Sequence, residues 1–472
     1  MTPPTFRYVD LFAGIGGFHA VLSALGGECV YSVEIDPAAA AVYSLNWGMD
    51  PLGDVTKDAT EQRVLVPPHD VLAAGFPCQP FSKSGAQRGM DETRGTLYWY
   101  ILRIVQEHHP RVLLLENVRN LAGPRHAHEW AVIISTLLAE GYRVSETPAV
   151  FSPHLLPREQ GGRPQVRERV FITATWDPHG LGSLEDVRPP LENVSRRERE
   201  WDLATDLPLD PDEHVEGCDL SDDEVTWIDA WNVWVRHMWS VREDQAQESG
   251  EPVRPLPGFP IWSDDWRHHT RAELNAAPAW KRSFLVKNEE LWAANKEFFG
   301  QWKREYKVAT FPPSRRKLEW QAQFTASLWD CVMQMRPSGI RAKRPTHLPA
   351  LVAIAQTPII GPRRRRLSPR EAARLQGLPD SFDFGNQRTG LTYKQLGNGV
   401  NIGAAWTVLK AHVVRDAEVL GAPVSRTGTD GQEYLDHSGT VIASAVLSAP
   451  DAPDEPVAAL LEPHPVPSCA TA

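Results

Sequence analysis

The residue of this chain best suited to nucleophilic chemistry is Cys78, held in GFPCQPFSKSG at 75–85. Pro77 and Pro80 flank its segment, which is too rich in proline, serine and glycine to be core. That places the thiol at the end of a strand, where it needs only surroundings that favour thiolate. Cys29 and Cys331 read as ordinary packed thiols. Ser82, Ser84, Gly85 and Gly89 follow as a polar, glycine-containing stretch able to close over a substrate. Glu116 and Asn117 end the very apolar run RVLLLENV at 111–118, which brings a carboxyl group to the same sheet edge. Such an acid can simply cap the next helix; beside a nucleophilic thiol it can also give a proton to the ring that the thiolate attacks. In PQVRERV at 164–170, strand alternation puts Gln165, Arg167 and Arg169 on one face, either solvated or turned toward an anionic or heterocyclic ligand.

A second group of residues suits a nucleoside. Gly14, Gly16 and Gly17 in DLFAGIGGF (10–18) allow a tight turn between strand and helix, with or without a ligand. Glu34 at the end of the next strand can accept hydrogen bonds from both hydroxyls of a ribose, and Asp54 in LGDVT can reach an adenine amino group. The loop lacks the lysine of a phosphate-cradling motif, so a nucleoside fits better than a bare phosphate.

The elements that must position these residues alternate. RYVDLF (7–12), CVYSVE (29–34), VLAAGF (71–76), RVLLLENV (111–118) and RVFITATW (169–176) read as strands. FHAVLSAL (18–25), DPAAAAVYSLNW (36–47), begun by Asp36 and Pro37, and TLYWYILRIVQEH (96–108) read as helices. Strands alternating with helices predict a mostly parallel sheet covered on both faces, with ligands at the carboxyl ends of its strands. After Trp176 the alternation stops, and residues 201–329 hold 12 of the 17 tryptophans, which marks a second domain or a large insertion. The tryptophans of WIDAWNVWVRHMW (227–239) lie at helical spacing and are expected to pack. IGAAWTVLKAHVV (402–414) reads as a final packed helix, and from about 421 the composition predicts a disordered tail.

Charge is unevenly spread. The net charge of −11 looks wrong for a nucleic-acid partner, yet residues 303–374 carry 16 Lys/Arg against 4 Asp/Glu, while 181–226 carry 4 against 15. The basic stretches 303–317 and 336–344 are candidates for phosphate contacts, the acidic stretch for an exposed linker, and the arginine run 363–366 for a solvated face. Five cysteines without a CxxC pair argue against zinc and against a disulfide framework, so no metal is expected. There is no run of eighteen apolar residues and no signal-like start, so no membrane span is expected and the protein is expected in the cytoplasm.

In this order, DLFAGIGGF, EIDP, GDVT, GFPCQPFS, ETRGTLYW, ENV, PQVRER, RLSPREAARLQGLPDSF and YKQLGNGV resemble the bacterial DNA cytosine-5 methyltransferases of restriction-modification systems. The likeness covers roughly 7–176 and 344–414. It implies a class I S-adenosylmethionine-dependent methyltransferase fold: Rossmann-like, doubly wound α/β, with a smaller target-recognition domain. The implied layout is a catalytic and cofactor-binding domain at 1–176 and a target-recognition region at 177–343. A basic segment at 344–397, a helix at 398–420 packed back on the catalytic domain, and the tail 421–472 complete it. S-adenosylmethionine would be held by Phe12, Ile15, Gly17, Glu34, Asp54, Pro77, Leu97, Asn398 and Val400. Cys78, Glu116, Arg167 and Arg169 would be catalytic, with Ser82, Gln165 and Asn117 toward a cytosine flipped from duplex DNA. A cognate restriction endonuclease encoded nearby and a monomeric state are implied by the same likeness. An RNA cytosine-5 methyltransferase and a non-catalytic DNA-binding regulator are the alternatives.

Overall fold

Short apolar runs ending at a glycine or an acid become the strands of the first half of the chain. A computed structural model describes residues 5–77, 96–180, 182, 187–194, 196–207, 209–210, 215–351, 357–428 and 431–462. In it β1 (Phe6–Leu11), β2 (Gly27–Val33), β3 (Val71–Gly75) and β4 (Val112–Val118) alternate with helices α1 (Gly17–Ala24), α2 (Pro37–Trp47) and α3 (Leu97–His108). Helix α4 (Ala127–Ala139) and strands β5 (Tyr142–Val144), β6 (Ala149–Phe151) and β7 (Arg169–Trp176) follow. The sheet order is β2-β1-β3-β4-β7-β5, with β6 also on β7. β2, β1, β3 and β4 are mutually parallel, and β7 runs antiparallel to β4.

Leu72, Ala73, Ala74 and Leu113 to Leu115 are fully buried, as strands covered on both faces must be. Asp36 begins α2 by accepting from the Ala38 amide at 3.0 Å, with Pro37 in the first turn. Register sets the site: Leu11 lies opposite Val33 and Ala74, and Gly75 opposite Glu116. The four parallel strands therefore finish level, and the residues after them meet at one edge.

The chain forms two units. One runs to Trp201 and resumes at Ala372, with a short stretch from Ala350; the other runs from Asp202 to Pro349 and ends at Glu371. The first boundary thus falls at 201 rather than 176. Trp201 donates its indole N–H to the His154 carbonyl at 2.8 Å and the Arg197 amide reaches the Leu155 carbonyl at 2.8 Å, which ties this stretch to the first unit. The basic segment 344–397 is likewise divided between the units rather than forming one body.

In the second unit a 28-residue helix α5 (Asp222–Ser249), capped by Ser221 and Glu224 in a reciprocal pair, lies with a six-stranded sheet. Its strands are β8 (Ile261–Trp262), β9 (Lys317–Trp320), β10 (Val332–Arg336), β11 (Gly339–Lys343), β12 (Ile359–Ile360) and β13 (Arg365–Arg366), in the order β13-β12-β10-β11-β9-β8. Trp231, Trp234, Trp302 and Trp320 are buried with Met333 and Ile340 in one apolar core.

The arginine run is only in part a solvated face, since of its four residues Arg364 alone is exposed. Arg365 is buried and forms two bonds to Glu371 at 2.7 and 2.9 Å, Arg364 lies 3.8 Å over the Trp329 ring, and Arg366 pairs with Glu224 at 2.5 Å. Buried guanidinium groups need such partners, and this unit supplies them.

The expected disordered tail is also corrected through residue 462. After helices α6 (Thr389–Asn398) and α7 (Ile402–Arg415), Val424–Thr427 and Glu433–Asp436 form a hairpin, and α8 (Ser438–Ser448) and α9 (Asp454–Leu460) follow. Arg111, itself buried, donates to the carbonyls of Val419 and Ala422, and Arg426 donates to those of His108 and His109. Ile442, Val446 and Val457 are buried, so the segment has apolar anchors that its composition conceals.

Candidate active site

The level strand ends enclose a cavity of about 640 Å³, a size suited to a nucleoside-bearing ligand. Phe12, Gly14, Gly17, Glu34, Asp54, Pro77, Leu97, Glu116, Asn117, Arg169, Asn398 and Val400 all line it. Two glycines of the first turn are needed for clearance. At Gly16, where φ is +90°, a Cβ would sit 2.0 Å from the Trp47 indole nitrogen; at Gly17 it would sit 3.0 Å from the Val400 carbonyl.

Glu34 holds this turn. Its two carboxylate oxygens accept from the amides of Gly14 at 2.8 Å and Asp36 at 2.7 Å, and the group still faces the cavity. Asp54 caps the helical turn that follows it, accepting from the Thr56 amide and hydroxyl at 3.0 and 2.7 Å. The Thr56 hydroxyl bond is the main influence that keeps its carboxyl below the usual range.

On the opposite wall, Glu116 is buried and its Oε1 lies 2.9 Å from Arg169 Nε. Burial pushes the Glu116 carboxyl above its ordinary range, against the opposing pull of Arg169 and Arg167. Asn117 lines the cavity and also fixes its wall: it donates to the Phe76 carbonyl at 2.8 Å and accepts from the Val118 amide at 2.8 Å, tying the ends of β3 and β4 together.

Three expected site residues stand elsewhere. Ile15 is buried outside the cavity lining, and its carbonyl accepts from the Trp47 indole at 3.0 Å. Gln165 is fully buried and bonds Gln376 at 3.3 Å, and Arg167 bonds the carbonyls of Gly397 and Gly399. The predicted common face of residues 165, 167 and 169 fails because the strand is interrupted: Gln165–Val166 and Arg169–Trp176 are separate, with 167–168 between them. Cys78 and Ser82 lie outside the described residues.

The sequence reading missed Ile35 and the pair formed by Asp36 and Lys394, at 2.8 Å, which also line the cavity. Ile35 is 70% exposed, an unusual state for isoleucine that suits a flat apolar ligand surface. In the second unit, Lys303, Arg315 and Arg316 are committed to the carbonyls of Ser263, Arg336 and Phe311, which withdraws much of 303–317 from phosphate contact.

The family described as C-5 cytosine-specific DNA methylase matches residues 6–413. The type II methyltransferase M.AluI of Cellulosimicrobium cellulans is 45% identical, the alignment covering 96% of this chain and 98% of that one. The type II methyltransferase M.HhaI of Haemophilus parahaemolyticus is 42% identical over 39% of this chain and 53% of its own length. Among solved structures, a putative DNA modification methyltransferase encoded within a prophage of E. coli aligns over 88% of this chain and 99% of its own, at 18% identity and a TM-score of 0.44.

Proposed function

Since the chain belongs to the C-5 cytosine-specific DNA methylase family, we propose that the strand-end cavity binds S-adenosylmethionine and that Cys78 and Glu116 act on a cytosine flipped out of duplex DNA. The enzyme is a DNA cytosine-5 methyltransferase of the restriction-modification type. The observation that carries the site assignment is the Glu116 carboxyl, buried in the cavity wall beside Arg169. The cavity suits the cofactor chemically: Glu34 and Asp54 offer acceptors for ribose hydroxyls and an amino group, while Phe18, Ile35, Ala39, Val55 and Leu97 offer apolar surface. Bound there, S-adenosylmethionine supplies an electrophilic methyl group.

Cytosine carbon 5 is a poor nucleophile until an anion adds to carbon 6. The Cys78 thiolate makes that bond while Glu116 hydrogen-bonds or protonates ring nitrogen 3, so electron density gathers at carbon 5 for methylation. Loss of the carbon 5 proton to solvent then reforms the bond between carbons 5 and 6, expels the Cys78 thiolate, and returns any proton held at nitrogen 3 to Glu116. Arg169 orients the Glu116 carboxyl and faces the base oxygen.

The second unit reads the DNA sequence. On β9, β10 and β11 one face is apolar and buried, while the other presents Glu319, Gln334, Arg341 and Lys343. Glu319 lies 2.7 Å from Arg341 and 3.7 Å from Arg336, leaving this face with more positive than negative groups. That charge suits a phosphate backbone. The protein acts as a cytoplasmic monomer and protects host DNA from a cognate endonuclease encoded nearby.

Bisulfite sequencing of plasmid DNA from a host expressing wild-type protein or Cys78→Ser tests the reading. Methylcytosine at one recurrent sequence, absent with the variant, is expected. Folded wild-type protein that binds S-adenosylmethionine but leaves DNA unmodified would redirect the reading to RNA, and then to a binding regulator.

A further inference from the structure

Arg167 sits behind the cavity, 1% exposed, and absent from its lining. Its Nη2 donates to two carbonyls, that of Gly397 at 3.0 Å and that of Gly399 at 2.5 Å. These belong to the C-terminal end of α6, where a helix leaves carbonyls without partners and its dipole is negative. A buried cation there satisfies both needs at once. Gly397, Asn398, Gly399 and Val400 all line the cavity, and Val400 lies against the Gly17 position of the first turn.

Arg167 is the last rung of a seam. Arg163 donates to the Arg374 carbonyl at 2.9 Å, Gln165 bonds Gln376, and the Asn401 side chain donates to the Leu375 carbonyl at 2.8 Å. Residues 163–167 thus bind the returning segment of the first unit, and only Arg169 turns to Glu116. The Arg167 guanidinium, pushed down to about 9 by burial with added repulsion from Arg169, still carries its charge at neutral pH.

We infer that Arg167 is a positioning residue for cofactor binding: by holding the carbonyls of Gly397 and Gly399 it sets where Asn398 and Val400 meet S-adenosylmethionine, and it does not act on the base. This rests on the cofactor assignment made above. The distinction from the expected catalytic role is measurable, because a strut under the cofactor changes affinity while a group on the base changes turnover.

The test is calorimetric titration of wild-type, Arg167→Lys and Arg167→Ala proteins with S-adenosylhomocysteine, alongside KM for S-adenosylmethionine and kcat at saturating cofactor. A lysine keeps the charge but its stem ends short of the Nη2 position. For Arg167→Lys, binding about tenfold weaker, KM raised in parallel and kcat within about threefold are expected. Binding within twofold of wild type overturns the inference, whether kcat collapses or only the melting temperature falls. Should Arg167→Ala fail to fold, the lysine variant alone decides. Wild-type protein that takes up no S-adenosylhomocysteine overturns the cofactor reading itself, a result separate from any behaviour of the variants.

Discussion

Glu34 and Glu116 line one cavity and are held by different partners, so their replacements should fail in different ways. Glu34 accepts from the Gly14 and Asp36 amides, which both shapes the first turn and leaves the carboxylate facing the cavity. Hydrogen bonds to a charged group are worth about 1.5–3 kcal/mol. Glu34→Ala is therefore expected to raise the S-adenosylhomocysteine Kd about tenfold or more, with kcat at saturating cofactor changed only a few-fold. Unaltered affinity in titration calorimetry would remove Glu34 from the cofactor site. Glu116, by contrast, touches Arg169 and is buried, so its carboxyl keeps a proton to higher pH than an exposed glutamate. Glu116→Gln should lower kcat by about 10²–10⁴ while cofactor Kd stays within about threefold. Because burial raises this pKa, the acid form is lost as pH rises through the raised value, and the variant should lack that limb of the rate profile. A profile with the same limb in both proteins would assign the titration to another group.

Among elements, β7 and α7 meet through a buried polar network centred on Asp416. One carboxylate oxygen accepts from Arg143 at 3.0 Å and Arg415 at 2.8 Å, the other from the Thr175 hydroxyl at 2.7 Å. Burial works against ionisation, but His412, Arg415 and Thr175 outweigh it and hold the Asp416 carboxyl below its ordinary range. A depressed carboxylate pKa stabilises the fold above the unfolded value of about 4, and that contribution fades as pH falls below it. Asp416→Asn removes the negative charge shared by two mostly buried guanidinium groups, at a cost of about 3 kcal/mol, so the melting temperature at pH 7 should drop by about 6 °C. The gap to wild type should narrow as pH is lowered from 4 toward 3; a gap constant over that range would show that Asp416 carries no ionic stabilisation. Elements differ in how plainly the sequence announces them. Asp36 and Pro37 before an apolar run, or RVLLLENV, state a helix start and a buried strand outright, and the strand ends locate Glu34 and Glu116. Gln165 and Arg167 mislead, because alternation holds only while a strand is unbroken. Ile35 carries no periodic signal, and the last segment is held by bonds from residues far away in sequence, Arg111 to the Val419 carbonyl and Trp406 to the Pro450 carbonyl, which its composition does not announce.

At the scale of the molecule, the two units have separate apolar cores: one built on Leu11, Leu72, Leu113 and Ile172, the other on Trp231, Trp234, Trp302 and Ile340. They share no residue, so damage to one core should not spread to the chemistry of the other. Trp231 is the sharpest probe, being fully buried, bonded through its indole N–H to the Arg315 carbonyl at 2.8 Å, and set edge-on to Trp234 with ring centres 5.7 Å apart. Replacing a buried aromatic by alanine costs about 3–5 kcal/mol. Trp231→Ala should therefore make the second unit unfold first, splitting the calorimetric melting curve into two transitions. S-adenosylhomocysteine affinity should stay within about twofold of wild type, since every described residue lining the cavity lies in the first unit. Methylation of the recognised sequence should be lost, because the surface carrying Arg341 and Lys343 is built on that core. Loss of cofactor affinity in step with methylation would mean that the units stand or fall together, and the division of labour between them would have to be abandoned.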